Sequence, residues 1–167
     1  MASPAVTVAN LLPADWPRVR AIYAEGIAGG NATFDTEVPD WPVWDAAHLA
    51  IPRLVARLDG EVVAWAALSP VSTRVCYRGV AEVSIYVAGS ARGRGIGSAL
   101  LDALAGASEA AGIWTLFSSI HADNASSLRM HERSGFRTIG RRERIARRAD
   151  GWADTILMER RSRTVGI

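Results

Sequence analysis

Residues Glu82 to Leu101 read EVSIYVAGSARGRGIGSALL, and a change of period inside this stretch organises the rest of the chain. Val83, Ile85 and Val87 alternate with Glu82, Ser84 and Tyr86, the period of two of a pleated strand. Ala88-Gly89-Ser90-Ala91 is a turn-forming run, followed by Arg92-Gly93-Arg94-Gly95-Ile96-Gly97. Beyond Gly97, Leu100, Leu101 and Leu104 recur at helical spacing. A glycine-rich loop between a strand end and a helix start leaves backbone N–H groups unpaired at the positive end of the helix dipole. Arg92 and Arg94 add formal charge. The stretch predicts a site for a pyrophosphate.

The bulk properties fit a folded enzyme better than a nucleic-acid binder. With 49% hydrophobic and 22% charged residues in 167, the chain is expected to fold as one domain over residues 1–167. All 19 basic residues are arginine, set against 17 acidic ones for a formal net charge of +2. Arg141, Arg142, Arg144, Arg147 and Arg148 form the one cluster, which suits a solvated strand or turn better than a polyanion patch, so no nucleic-acid partner is expected. A single cysteine, Cys76, excludes an intrachain disulfide and a cysteine-rich metal site, and no metal is expected. MASPAVTVAN lacks the basic start and apolar core of a leader, and no apolar run approaches the roughly 18 residues of a membrane span. The expectation is a cytoplasmic chain with no membrane partner.

Outward from the central stretch, Val6 and Val8 suggest a first strand, and Asp15 can cap a helix with Val19, Ile22, Tyr23 and Ile27 on one face. Gly29-Gly30-Asn31 ends that helix, and a loop follows with Phe34 at its middle. A second helix is predicted from near Pro42 to Leu49. Arg53–Leu58 and Glu61–Leu68 alternate as strands around Asp59-Gly60, a hairpin signal, with Ser69-Pro70 breaking the second. Val71–Arg78 is irregular. After the helix that ends at Gly112, Trp114–Ile120 predicts a mostly apolar, buried strand. Asp123 or Asn124 caps a helix through Leu128 and His131, and Phe136–Ile139 and Thr155–Met158 are the last strands. Mixed hairpins and one strand–helix–strand unit predict an α/β fold, a mixed sheet with helices on both faces.

Two blocks carry a resemblance. Arg92-Gly93-Arg94-Gly95-Ile96-Gly97 resembles the Arg/Gln-x-x-Gly-x-Gly/Ala loop of the GNAT superfamily of N-acetyltransferases. Asn124 to Phe136, NASSLRMHERSGF, resembles that family's second block, in order and at the usual spacing. Within the superfamily the chain is similar to the phosphinothricin and methionine sulfoximine acetyltransferases, on Ile22-Tyr23-Ala24-Glu25, Asn31 to Glu37, Val80 to Val87, His131 and Gly151-Trp152-Ala153-Asp154. The Val71–Arg78 segment departs from the better-known members, which leaves the acceptor open.

The resemblance implies a GNAT fold and direct transfer of acetyl from acetyl-CoA to the primary amine of a small amino-acid-like acceptor. A protonated amine must lose a proton before attack. Glu82 is the candidate base on this resemblance; its pattern alone favours a strand-edge carboxylate facing water. His131 occupies the family's general-acid position, with a histidine packed against the sheet as the plain reading. His121, just past a strand end, could line the site. Cofactor contacts are expected from Ile85, Tyr86 and Val87, with backbone N–H near Val87 serving the acetyl carbonyl. Arg92, Gly93, Arg94, Gly95, Ile96, Gly97 and Ser98 would hold the pyrophosphate, and Asn124 with Ser127 the pantetheine arm. Asn124 serves equally as a helix cap.

For the acceptor, the resemblance implies Phe34, Arg74, Tyr77 and Arg78 beside Glu82, an arginine suiting a carboxylate or phosphinate. It also implies a homodimer, and Trp16, Trp41 and Trp44, among six tryptophans, would fit the interface. The alternatives are a relative acting on another small amine or a protein N-terminus, and a non-catalytic acetyl-CoA-sensing module. A sensor would need the glycine loop but neither Glu82 nor His131. A dinucleotide oxidoreductase is disfavoured because the loop lies mid-chain without a parallel strand array around it.

Overall fold

The computed structural model describes residues 6–167; Met1 to Ala5, the first half of the segment read for a leader, lie outside the described residues. Seven strands, β1 (Val6–Asn10), β2 (Arg53–Leu58), β3 (Glu61–Pro70), β4 (Val80–Val87), β5 (Thr115–His121), β6 (Arg137–Arg148) and β7 (Gly151–Arg161), form one sheet in the order β1-β2-β3-β4-β5-β7-β6. Only β4 and β5 run parallel; every other neighbouring pair is antiparallel. Four α-helices flank it: α1 (Trp16–Ala28), α2 (Trp41–Ala47), α3 (Ile96–Ala110) and α4 (Ala125–Arg133). The mixed α/β sheet expected from the sequence is present.

Strand β3 is buried from Val62 to Leu68, so both its faces must be covered. On one face Trp65 meets Tyr23 of α1 and Trp44 of α2, with ring centroids 5.4 Å and 5.5 Å apart. Leu100, Leu101 and Leu104 of α3 are fully buried against the other. Helix α1 lies so close to β4 that a Cβ on Gly26 would stand 2.6 Å from the Tyr86 ring. Trp16, Trp41 and Trp44 contact one another, and Trp44 is buried against the core. Trp44 is thus a core residue, whereas Trp16 and Trp41 remain partly exposed and Trp152 is 58% exposed.

The last two strands are longer than their apolar cores predict. β6 and β7 form a hairpin whose outer part is polar, and it carries the arginine cluster as a solvated strand. Arg141 bonds Asp154 at 2.5 Å and Arg148 bonds Asp150 at 2.6 Å, cross-strand and turn pairings that local hydropathy does not reveal. Helix α2 is shorter than expected at its C-terminal end. Asp15 stands at the start of α1, yet its side chain turns back to the Leu12 N–H at 3.0 Å and to Arg57 at 2.6 Å. Among the described residues no helix is long and apolar enough to cross a membrane.

Candidate active site

The site originates in a fault in the sheet. β4 and β5 pair only from Val80↔Thr115 to Glu82↔Phe117, and then separate. Ala88 N–H bonds the Val63 carbonyl at 2.8 Å, on the β3 side. The alternation of an antiparallel ladder therefore turns the N–H groups of Val83, Ile85 and Val87 toward the gap, where β5 no longer accepts them. A wedge with unpaired backbone donors along one wall can hold an extended amide-bearing chain and polarise a carbonyl.

At the outer end of the gap the glycine loop meets α3. Gly93 and Gly95 have φ of 74° and 76°, the left-handed region that glycine occupies at least cost, and Gly95 starts the helix. The N–H groups of Gly93 through Ser98 find no acceptor within the described residues. Converging donors at a helix N-terminus form a fit for a pyrophosphate. A cleft of about 420 Å³ runs there, lined by Arg92, Gly93, Gly95, Ile96, Gly97 and Ser98 among others. Arg94 is exposed and does not line it, and the Arg92 side chain folds back to the Val87 carbonyl at 3.2 Å.

A second cavity, of about 370 Å³, lies at the inner end and contains Glu82, Phe34 and His131. The two share Ala32, Ile85, Tyr86, Asn124 and Ser127 in their walls, so they adjoin. Glu82 is half-buried, and that burial raises its carboxyl above the ordinary range, partly opposed by the Arg142 guanidinium. Such a group is well suited to take a proton near neutral pH.

His131 is 2% exposed, and burial lowers its pKa. Its Nδ1 lies 2.9 Å from the Ser127 carbonyl, which can only accept, so Nδ1 carries the proton and Nε2 is bare in the neutral ring. In that form the imidazole accepts a proton. The expected donation to a thiolate requires it first to gain one. Asn124 does cap α4, accepting from Ser127 N–H at 3.2 Å, but its amide also donates to the Asn31 carbonyl at 3.1 Å. A pantetheine contact from Asn124 would have to replace that tie.

Of the acceptor residues expected, the structure brings Phe34 and Glu82 together and keeps Arg74, Tyr77 and Arg78 outside both cavities. Arg74 lies over the Tyr77 ring at 5.8 Å, and Arg78 lies over Trp114 at 5.5 Å. Sequence reasoning missed Tyr23, Thr33, Asp35, Ser118 and Ser119 in the lining. For the serines a signal existed, two adjacent hydroxyls in an otherwise apolar strand. For Tyr23, whose hydroxyl donates to Asp35, helical spacing pointed only to the core.

Residues 15–136 match the Acetyltransferase (GNAT) family. The chain belongs to this family. As a GNAT protein it is an acetyl-CoA-dependent N-acetyltransferase, and the glycine loop and gap above have the donor groups that such a donor molecule needs. It is similar to phosphinothricin N-acetyltransferase of Alcaligenes faecalis, 32% identical over 93% of this chain and 82% of that protein. It is also similar to the L-methionine sulfoximine/L-methionine sulfone acetyltransferase of Pseudomonas aeruginosa, 30% identical over 87% of this chain and 88% of that one. A solved phosphinothricin acetyltransferase from Sinorhizobium meliloti, in complex with AcCoA, superposes with a TM-score of 0.84 at 30% identity, covering 93% of this chain and 88% of that one. A ribosomal-protein-alanine N-acetyltransferase from Brucella melitensis superposes with a TM-score of 0.85 at 28% identity, covering 93% of this chain and 99% of the other.

Proposed function

We propose that this GNAT enzyme acetylates the primary amine of a small amino-acid-like acceptor of the phosphinothricin, methionine sulfoximine or methionine sulfone type. The observation that carries this reading is the pair of adjoining cavities with shared walls, Glu82 lying in the inner one. An inner volume of about 370 Å³ suits an amino acid rather than a protein surface. The names of the similar proteins from Alcaligenes faecalis and Pseudomonas aeruginosa point the same way.

In this reading the N–H groups of Gly93 through Ser98 and the Arg92 side chain hold the pyrophosphate, and Ser127 lies along the pantetheine path. Acetyl-CoA supplies the acetyl group as an activated thioester. Glu82, as carboxylate, removes one proton from the acceptor ammonium, directly or through one water, so that the nitrogen lone pair can attack. The Val87 N–H steadies charge on the carbonyl oxygen as the new C–N bond forms and the C–S bond breaks. His131 takes at Nε2 the second proton that the nitrogen sheds after attack and passes it to the departing sulfur, which leaves as the thiol. Phe34 packs against the acceptor.

A homodimer goes with this reading. Val71, Val75 and Tyr77 are 42%, 74% and 45% exposed on the segment that carries Arg74 and Arg78, an apolar patch that a second copy would cover. Light scattering at micromolar concentration reads this directly.

The deciding experiment is an acetyl-CoA consumption assay over amino acids, their sulfone, sulfoximine and phosphinate analogues, simple amines and peptides with free N-termini. The expected result is a kcat/KM for the amino-acid analogues at least about tenfold above that for simple amines and peptides. Preference for the peptides would replace this reading with the one suggested by the similar ribosomal-protein-alanine N-acetyltransferase structure.

A further inference from the structure

The inner cavity has one wall built from two distant parts of the chain. The rings of Phe34 and His121 stack with centroids 4.2 Å apart and planes at 28°, and both line the cavity. Phe34 belongs to the segment between α1 and α2, which has no strand or helix to hold it, and His121 is the last residue of β5. Such a segment keeps a stacked ring in place only if its backbone is tied elsewhere.

Asn124 holds the segment at the Asn31 carbonyl and the Tyr23 hydroxyl holds it at Asp35, and a third tie comes from the tip of the β6–β7 hairpin. Asp150 accepts from Nε of Arg148 at 3.0 Å and from Nη2 at 2.6 Å. That two-point grip fixes the guanidinium plane and leaves Nη1 free to face the cavity wall. Nη1 donates to the Gly30 carbonyl at 2.8 Å and lies 3.5 Å from Nδ1 of His121. A guanidinium has no acceptor, so the ring nitrogen facing it presents a lone pair, and the His121 proton sits on Nε2. One side chain therefore holds both ends of the stack: the backbone leading to Phe34 and the orientation of the imidazole.

We propose that Arg148 is a positioning residue for the acceptor cavity, holding the Phe34–His121 wall so that acceptor affinity depends on it while acetyl-CoA affinity does not. It does not line the cleft at the glycine loop, and it belongs to the arginine cluster of the β6–β7 hairpin. Asp150 acts one step further out, by aiming Arg148. As a claim about the acceptor it rests on the amino-acid reading above, but its effect on the segment does not.

Arg148→Ala and Asp150→Ala test it in the full chain. Both residues are at a hairpin tip, where loss of a surface pair changes melting temperature little. In Arg148→Ala, KM for the best acceptor of the panel should rise about tenfold with kcat changed much less, and the acetyl-CoA Kd should stay within about twofold. Asp150→Ala should show the same pattern at smaller size, and Arg148→Lys, which keeps a donor for Gly30, should recover part of the KM. Amide hydrogen exchange over Asn31 to Asp35 should quicken in Arg148→Ala. An acceptor KM within twofold of wild type, or an equal loss of acetyl-CoA affinity, overturns the proposal. Should wild type acetylate none of the panel, the amino-acid reading fails by itself; exchange then decides, and unchanged protection of Asn31 to Asp35 overturns the role of Arg148.

Discussion

Glu82 stands opposite Phe117 on the last rung that β4 shares with β5, so the candidate base sits where the sheet begins to open. One backbone event thus creates both the gap between the strands and the half-buried setting of the carboxylate. The position leaves the Glu82 carboxylate half-buried in the wall of the inner cavity rather than exposed as on an open strand face.

Glu82→Gln should lower kcat/KM at pH 7 by about a hundredfold or more, the usual worth of a positioned base, with acetyl-CoA affinity unchanged. In the wild type the acid limb of kcat/KM should lie above the ordinary glutamate range, because burial raises the Glu82 pKa. A group with a raised folded pKa contributes stability below its unfolded value and loses it as pH rises through the folded one. The glutamine variant should therefore be at least as stable as wild type at pH 8. Unchanged turnover in this variant would remove Glu82 as the base.

Gly95→Ala forces a side chain into a backbone with φ of 76°, which costs about 1 kcal/mol or more and misdirects the N–H groups that follow. Gly95→Asp adds a negative charge where a pyrophosphate is expected. Calorimetric titration should show weakened acetyl-CoA binding in the first and none in the second. Normal binding by the aspartate variant would sink the loop assignment.

Gly26→Ala places a methyl 2.6 Å from the Tyr86 ring, so helix α1 or the ring must move. Overpacking of this kind costs roughly 1–3 kcal/mol, readable as a lower denaturant midpoint. Tyr86 lines both cavities, so kcat/KM should fall as well. A variant with wild-type midpoint and activity would show that α1 has slack against β4.

The three histidines, His48, His121 and His131, are all held below the ordinary imidazole range, first because burial penalises the charged ring. A depressed folded pKa gives stability that is present above about pH 6.5 and lost as pH falls through the folded values. Urea midpoints should decline between about pH 7 and pH 5, and His131→Gln should flatten part of that decline. A midpoint independent of pH over this range would contradict the burial of these rings. His131→Gln should also slow turnover if the ring relays a proton to sulfur.

Much of this was legible before any coordinates. The glycine loop announced itself because left-handed turns and helix starts use few residue types, and α4 because Asn124 opens a clear helical pattern up to Gly135. Where each arginine lies relative to the inner cavity was not legible. Arg74 and Arg78 are close in sequence to β4, yet each lies over an aromatic ring away from the cavity, whereas Arg148 arrives from the far end of a hairpin. Nor was the burial of Trp44 legible, since it depends on Trp16 and Trp65, from other parts of the chain, packing round it with Trp41.

By itself the sequence determined the order of strands and helices, the family and the place of the glycine loop, because periodicity, glycine conformation and helix capping act over a few neighbouring residues. Only the tertiary structure decided where β4 leaves β5, how His131 is protonated, and which side chains wall the acceptor cavity. Those depend on burial and on contacts between residues far apart in the chain, as when Arg148 reaches Gly30.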